Sequence, residues 1–344
     1  MKLLSKFFII KNKHGLQSFG YDESGSLIYH LEEGALNPNL EAIYKARISL
    51  VNKRSKLAYI DYAPNLQGII NLKHTNIQPG ANLLCQLVWQ GDKRKLPKFS
   101  EEIKLPGKYV ILLPNSTRHF FSKDLKSPLA TTLSAKYQNI GMIFRSCIDE
   151  VSERTLIEDE IDFLSKQLEL IKVWQGKPFG RLTVAAYKFM QLLRETRLSK
   201  DMEIFTNNPA IFDYLLPYLD LWQLSAVNLD ESLTAPSIDK SFKEHEEFGL
   251  EIHKLSGINL IDINSKNANL NFYQVNYLAI DEIVRQIWLQ DLTGIILLDF
   301  IKNMSIEENH KLLTKLNSYL GNDWRKNQVL GFTKAGICEI IRNK

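Results

Sequence analysis

Two stretches near the carboxyl end decide the fold: Ile258-Asn259-Leu260-Ile261-Asp262 and Gly294-Ile295-Ile296-Leu297-Leu298-Asp299. Each is a short apolar run that ends on an aspartate. The second has the near-continuous hydrophobicity of a parallel strand covered on both faces. Between them Val275, Ala279, Ile283 and Ile287 recur every fourth residue, the ridge of one helix. Strand, helix, strand in this order predicts a parallel pair with the helix as crossover. Ser305 with Glu308 predicts a capping box opening another helix, and Gly336–Ile341 predicts a last strand. Residues 250–344 therefore read as an α/β unit.

In open α/β sheets, ligands sit at the carboxyl ends of the strands. If the two strands are neighbours, Asp262 and Asp299 emerge on one rim. Two carboxylates there could hold Mg²⁺, which binds through one or two carboxylates plus water and phosphate oxygens. Asn264 stands two residues beyond Asp262 and could orient one of them. An aspartate at a strand end also caps helices and starts turns. Spacing alone leaves both readings open.

Composition narrows the classes. The 344 residues exceed one ordinary domain, so two or three are expected. With 44% apolar and 24% charged residues, wholesale disorder is excluded. A net charge of +4 is too mild to imply a nucleic-acid partner, so the distribution of charge must decide. No run approaches the roughly 20 apolar residues of a membrane span. Phe7-Phe8-Ile9-Ile10 lies between Lys6 and Lys11 and is too short for a signal peptide. It reads as the edge of a folded sheet in a cytoplasmic protein. Cys85, Cys147 and Cys338 form no Cys-x-x-Cys pair, which argues against disulfides or cysteine-bound zinc and for small buried hydrophobes. The histidines are scattered and no Gly-x-x-x-x-Gly-Lys loop occurs, so neither a nucleophile pattern nor NTP hydrolysis is suggested.

Upstream the periodicity changes character. Residues 1–36 alternate short strands with turns, one at Asp22–Gly25. Residues 40–115 hold about five short strands separated by polar turns, which suits an OB-fold barrel. Its basic residues cluster: Lys45, Arg47, Lys53, Arg54 and Lys56 without an acid among them, then Lys93, Arg94, Lys95 and Lys98 after Trp89. A basic groove with exposed aromatics is how OB-folds hold single strands. Residues 116–200 turn helical. Ile157, Ile161, Leu164, Leu168 and Ile171 mark one helix, and Leu182, Ala186, Phe189 and Leu193 predict a second from about 181. The acids from Asp149 to Asp162 read mostly as a solvated face. Asn208-Pro209 opens a further helix, and residues 223–247 carry little signal.

The segment Leu260–Ser265 resembles the catalytic signature of the bacterial ribonuclease E/G family. The block Asn276, Ala279, Glu282-Ile283, Arg285-Gln286-Ile287, Gly294 and Asp299-Phe300-Ile301 resembles the family's next stretch, in register. Ile43–Ile48, Ala58–Tyr62 and Gly68-Ile69 are similar to its RNA-binding OB-fold insert, and Tyr109–Asn115 to the segment that leaves it. Gly141–Ser146 resembles the strand of its sensor for the RNA 5′ end, and Gly336–Arg342 its final strand. Residues 116–138 and 200–250 match poorly.

The resemblance implies a split RNase H-like domain (1–36 and 201–248) with an inserted OB-fold (37–115) and 5′-sensor region (116–200), then a DNase I-like catalytic subdomain (249–344). It implies Mg²⁺ held by Asp262 and Asp299, with Asn264 orienting one of them. The reaction implied is hydrolysis of single-stranded RNA to a 5′-phosphate and a 3′-hydroxyl. Tyr59, Lys45 and Lys95 would contact RNA, although Tyr59 equally suits barrel core. Arg145, Ser146 and Lys326 would bind a 5′-monophosphate, for which an Arg fork is matched.

Departures are visible too. Ile69 stands where the family has a second stacking aromatic. Trp288 and Gln290 replace arginines, and Lys302 an aspartate. A glycine-rich hairpin before Asp262 is missing, and the loop after Asn264 is short. The family's cysteine zinc link does not follow, so neither structural zinc nor a zinc-bridged dimer is expected. Two functions compete: an active Mg²⁺-dependent endoribonuclease, and a catalytically weak or inactive RNA-binding protein on the same scaffold. A generic α/β enzyme on small phosphorylated substrates would leave the basic barrel unexplained.

Overall fold

The computed structural model describes residues 3–34, 40–72, 78–91, 95–150, 153–183, 186–229, 245–255, 257–266, 269–302 and 305–343. Lys93, Arg94 and most of the 223–247 run lie outside them. The chain is a mixed α/β protein that divides into two compact units. One comprises residues 1–35, 195–216 and 224–344, the other 36–194 and 217–223.

The first unit holds two mixed five-stranded sheets. In the amino-terminal sheet the order is Ser225–Asn228, Leu198–Thr206, Leu4–Asn12, Gly15–Asp22, Leu27–Glu33. Leu4–Asn12 is thus central, parallel to Leu198–Thr206 and antiparallel to Gly15–Asp22. This corrects the expectation of a sheet edge. The reason lies in the run itself: Phe7, Ile9 and Ile10 are all buried, which only a strand with neighbours on both sides and cover on its faces provides. The Asp22 turn forms as expected, with Asp22 Oδ1 accepting from the backbone N–H groups of Ser24 and Ser26.

The second sheet runs Phe248–Leu255, Ile258–Ser265, Gly294–Asp299, Cys338–Arg342, Asn327–Phe332. Ile258–Ser265 and Gly294–Asp299 are adjacent and parallel, joined by the helix Phe272–Leu289. The helix ridge Val275, Ala279, Ile283 and Ile287 is buried, as are Ile261, Ile263, Ile296 and Leu298 on alternate strand positions. Trp288 near the helix end packs on Tyr29 of the amino-terminal sheet, ring centroids 5.6 Å apart. Ser305 and Glu308 form the reciprocal capping box that opens Ile306–Leu320. A hairpin does precede Asp262: Phe248–Leu255 pairs antiparallel with Ile258–Ser265 over its whole length. Its sequence Phe-Gly-Leu-Glu-Ile-His-Lys-Leu lacks the uninterrupted apolar run that marks its neighbours.

A buried ion network locks this sheet. Arg342 donates to both Asp323 oxygens at 2.5 and 2.9 Å and to Asp291 at 3.0 Å, while Arg325 forks onto Asp291 at 2.7 and 2.8 Å. Burial works to lower the Arg342 pKa, but its bonds to the two aspartates overcome that and the net shift is upward. The Cys338 thiol on the same strand is pushed up to about 12 by burial, so it behaves as a hydrophobe.

The second unit contains an OB-like barrel. Ile43–Asn52, Leu57–Ala63 and Leu66–Asn71 pair antiparallel in sequence, Lys98–Ser100 bridges Leu66–Asn71 to Asn82–Trp89, and Asn82–Trp89 closes on Ile43–Asn52. Ala46, Ile48, Ala58, Ile60, Ile70, Cys85, Leu87 and Phe99 fill it. Gly68 has a steric cause: a Cβ there would fall 2.5 Å from the Phe99 ring. No helix begins at 181. Gly180–Arg181 instead adds a short strand to Tyr44–Lys45, and Leu182 N–H donates to Ile43 O at 2.8 Å. The helix starts at Lys188 and ends at Glu195. The backbone of 180–182 is satisfied by the barrel, so its apolar spacing is not a helical stripe.

Beside the barrel lies a four-stranded sheet, His119–Phe121, Gly141–Phe144, Val110–Leu113, Leu105–Pro106, with the helix Arg154–Lys172 against it. Among the described residues no helix is long and apolar enough to cross a membrane.

Candidate functional site

Asp262 and Asp299 are register partners in the two parallel strands. Registered residues of neighbouring strands project from the same sheet face, here the face opposite the buried isoleucines. Both are half-buried. Asn264, on the same face, donates its Nδ2 to Asp262 Oδ2 at 3.1 Å. Neither aspartate caps the helix that follows it: Asn271 caps Phe272–Leu289 and Ser305 caps Ile306–Leu320.

Two neighbours of the pair, and one residue at the far end of the Asp299 strand, have roles that a reading of the sequence does not give. Asn276, fully buried in the crossover helix, donates to Ile301 O at 2.9 Å and accepts from Ile301 N–H at 3.0 Å. It thereby fixes the backbone just past Asp299. Its signal is present, a polar residue among apolar helix positions, but its partner is not. Glu251 stands opposite Asp262 on the unforeseen hairpin strand. Arg342 stands out in the sequence only as part of the last strand motif, and its burial is invisible there.

The donor set fits magnesium. Two carboxylates on one sheet face, with water and phosphate oxygens completing the shell, are the usual Mg²⁺ ligand set. Among the described residues no group of three or more His, Cys, Asp or Glu side chains is arranged to hold a metal.

On the barrel, Tyr59 lies outside the core, between Leu50 and Ile69 on the neighbouring strands. Lys98, in register with Ile69, sits with its Nζ 5.7 Å from the Trp89 ring centre. Lys95 is exposed. Lys45 serves the fold, since its Nζ donates to Gln175 O at 2.7 Å and Lys177 O at 2.8 Å.

Arg145 follows the strand Gly141–Phe144. Its N–H donates to Tyr109 O at 3.0 Å and its guanidinium to Gly107 O at 3.4 Å. Ser146 opens a short 3₁₀ turn. Beneath them is a residue that the sequence places in a mostly solvated run. Glu160 is buried, one oxygen accepting from Lys108 N–H (2.7 Å) and Trp222 Nε1–H (2.8 Å), the other from Tyr109 and Val110 N–H (2.8 and 3.1 Å). Burial pushes its pKa up against these four bonds. A Cβ at Gly107 would collide with this carboxyl. Glu160 thus fixes the strand start whose carbonyls hold Arg145. Lys326 is exposed at the head of Asn327–Phe332 in the first unit, whereas Arg145 and Ser146 belong to the second.

An OB-like barrel and mixed sheets, one carrying a registered pair of acids, define a mixed α/β protein. Residues 104–344 match the Ribonuclease E/G family, and the chain belongs to it. Among its relatives, ribonuclease E of Synechocystis sp. is 26% identical over 302 residues, covering 78% of this chain and 44% of that protein. Ribonuclease G of Haemophilus influenzae is 21% identical over 383 residues, covering 92% of this chain and 74% of the relative. Ribonuclease G of Escherichia coli is 22% identical over 370 residues, 92% and 75%. The chain therefore spans less than half of the first relative and about three quarters of the others.

Proposed function

We propose that this protein is a Mg²⁺-dependent endoribonuclease that hydrolyses single-stranded RNA to a 5′-phosphate and a 3′-hydroxyl. The observation that carries the reading is the register of Asp262 with Asp299 where the parallel pairing of their strands ends, both free of any helix-capping duty. In this reading the two carboxylates hold the metal and Asn264 orients Asp262. Bound magnesium supplies an oriented water and neutralises charge on the phosphodiester. Asn276 keeps Asp299 in place through the Ile301 backbone. The amino-terminal sheet is read as the RNase H-like part and the carboxyl-terminal sheet as the DNase I-like part.

The barrel holds the strand. Tyr59 stacks a base on the outer wall while Lys95 meets phosphate, and Lys45 acts mainly by fastening residues 175–177. With Ile69 in place of a second aromatic, one stacking contact worth about 1–3 kcal/mol is lost. Arg145, with Ser146, reads a 5′-monophosphate from the rigid platform built on Glu160; Lys326, on the first unit, is read as a phosphate contact of its own. The site of action is the cytoplasm.

One observation favours the second reading, an inactive RNA-binding protein. Trp288 is buried against Tyr29 and Gln290 donates to Gln286 at 2.7 Å, so neither supplies the cation that an arginine would. Incubating the protein and Mg²⁺ with 5′-monophosphorylated RNA separates the two: cleavage products support the enzyme, and salt-sensitive binding of intact RNA supports the scaffold.

A further inference from the structure

The outer wall of the barrel carries a cavity of about 700 Å³, within the range of small-ligand sites. Arg47, Asp61, Asn65, Gln67, Asn82 and Phe179 line it. Strand register sets four of them in one row: Asn82 opposite Arg47, Arg47 opposite Asp61, Asp61 opposite Gln67. This row lies next to the row of Leu50, Tyr59 and Ile69, two residues further along Leu57–Ala63, a step of about 7 Å.

The walls are held in place without a ligand. Asn65 has φ 59° in the tight Pro64-Asn65 turn, and Gln67 Nε2 donates to Asp61 Oδ1 at 3.0 Å. Phe179 sits between two fastenings: Lys45 on the carbonyls of Gln175 and Lys177, and the Gly180–Arg181 pairing with Tyr44–Lys45. Phe179 is nevertheless 41% exposed. Among the described residues the Arg47 guanidinium has no ion pair or hydrogen bond. An exposed aromatic beside an unengaged Arg fork, a carboxylate and several amides matches one ligand chemistry. A nucleobase has a π-face for stacking and an edge of mixed donors and acceptors, which Arg, Asp, Asn and Gln read. A bare phosphate would meet Asp61, and an apolar ligand would leave the Arg47 guanidinium covered without a partner.

We propose that this cavity is a nucleobase subsite that takes one unpaired base of an RNA strand, its ring on Phe179 and its edge on Arg47, Asp61 and Gln67. The proposal rests on the reading of the barrel as the RNA-holding part. Tyr59 then stacks a neighbouring base of the same strand.

The test is fluorescence anisotropy of the full chain in EDTA with labelled ten-nucleotide single-stranded RNAs, intact and with an abasic residue scanned along the strand. Phe179→Ala and Arg47→Gln, both at exposed positions, should bind about 5- to 100-fold more weakly than wild type. One abasic position should weaken wild type to a similar degree and have no further effect on Phe179→Ala, while the abasic position that Tyr59→Ala silences should be a different one. Wild-type binding to intact RNA that is unchanged in Phe179→Ala and Arg47→Gln, but weakened by Tyr59→Ala, overturns the subsite and leaves the RNA reading standing. Wild type that binds none of the RNAs overturns both.

Discussion

Asp262 and Asp299 face each other across a single parallel strand pair, and Asn264 holds the first of them by a 3.1 Å hydrogen bond. This bond acts on orientation and not on charge. Asn264→Ala should therefore lower activity or metal affinity about 10- to 100-fold, the usual cost of losing an orienting partner. A titration of cleavage rate against Mg²⁺ reads the effect: the half-saturating concentration should rise while the melting temperature stays unchanged.

Stacking and phosphate contact on the barrel separate by salt. Tyr59→Ala should weaken RNA binding by about 1–3 kcal/mol with the salt dependence preserved, because a neutral ring releases no counterions. Lys95→Ala should reduce the slope of log K against log salt by about 0.7, the share of one phosphate contact on a single strand. Affinities measured across a series of KCl concentrations check both, and a changed slope in Tyr59→Ala would count against its stacking role.

The 5′ end offers another comparison. Arg145→Gln keeps the backbone bond to Tyr109 O but removes the charged fork. It should erase a preference for 5′-monophosphorylated over 5′-hydroxyl RNA and leave the rate on 5′-hydroxyl RNA unchanged. A variant that slows both substrates equally would place Arg145 outside phosphate recognition.

Stability of the carboxyl-terminal sheet should depend on Arg342. Arg342→Met leaves the fully buried Asp323 carboxylate without its charge partner, while Asp291 keeps Arg325, a loss of about 3–5 kcal/mol. Arg342→Lys should also destabilise, since one ammonium cannot fork onto both acids. Denaturant unfolding of the variants checks this; a change below about 1 kcal/mol in Arg342→Met, the scale of an ordinary surface ion pair, would show that the network is not structural.

What is legible in the sequence is what is local. The runs that reach Asp262 and Asp299, the helix ridge between them and the Ser305 capping box all depend on neighbours within a few residues, and all form, though the first strand continues past Asp262 to Ser265. Pairing over long separations is not. Leu4–Asn12 is a central strand because its parallel partner lies at Leu198–Thr206. Residues 180–182 depart from a helical spacing pattern because the barrel satisfies their backbone. Glu160 looks like one more surface acid because its four donors come from elsewhere in the chain. Whether either acid caps a helix is not legible until Asn271 and Ser305 prove to be the caps.

The central claim is tested most directly by incubating the protein with Mg²⁺ and a 5′-monophosphorylated, AU-rich single-stranded RNA, beside the Asp262→Asn, Asp299→Asn double variant. Wild type should release fragments carrying 5′-phosphate and 3′-hydroxyl ends, and the double variant should bind the RNA but leave it intact. Cleavage that persists in the double variant would contradict the assignment of these two carboxylates to the reaction.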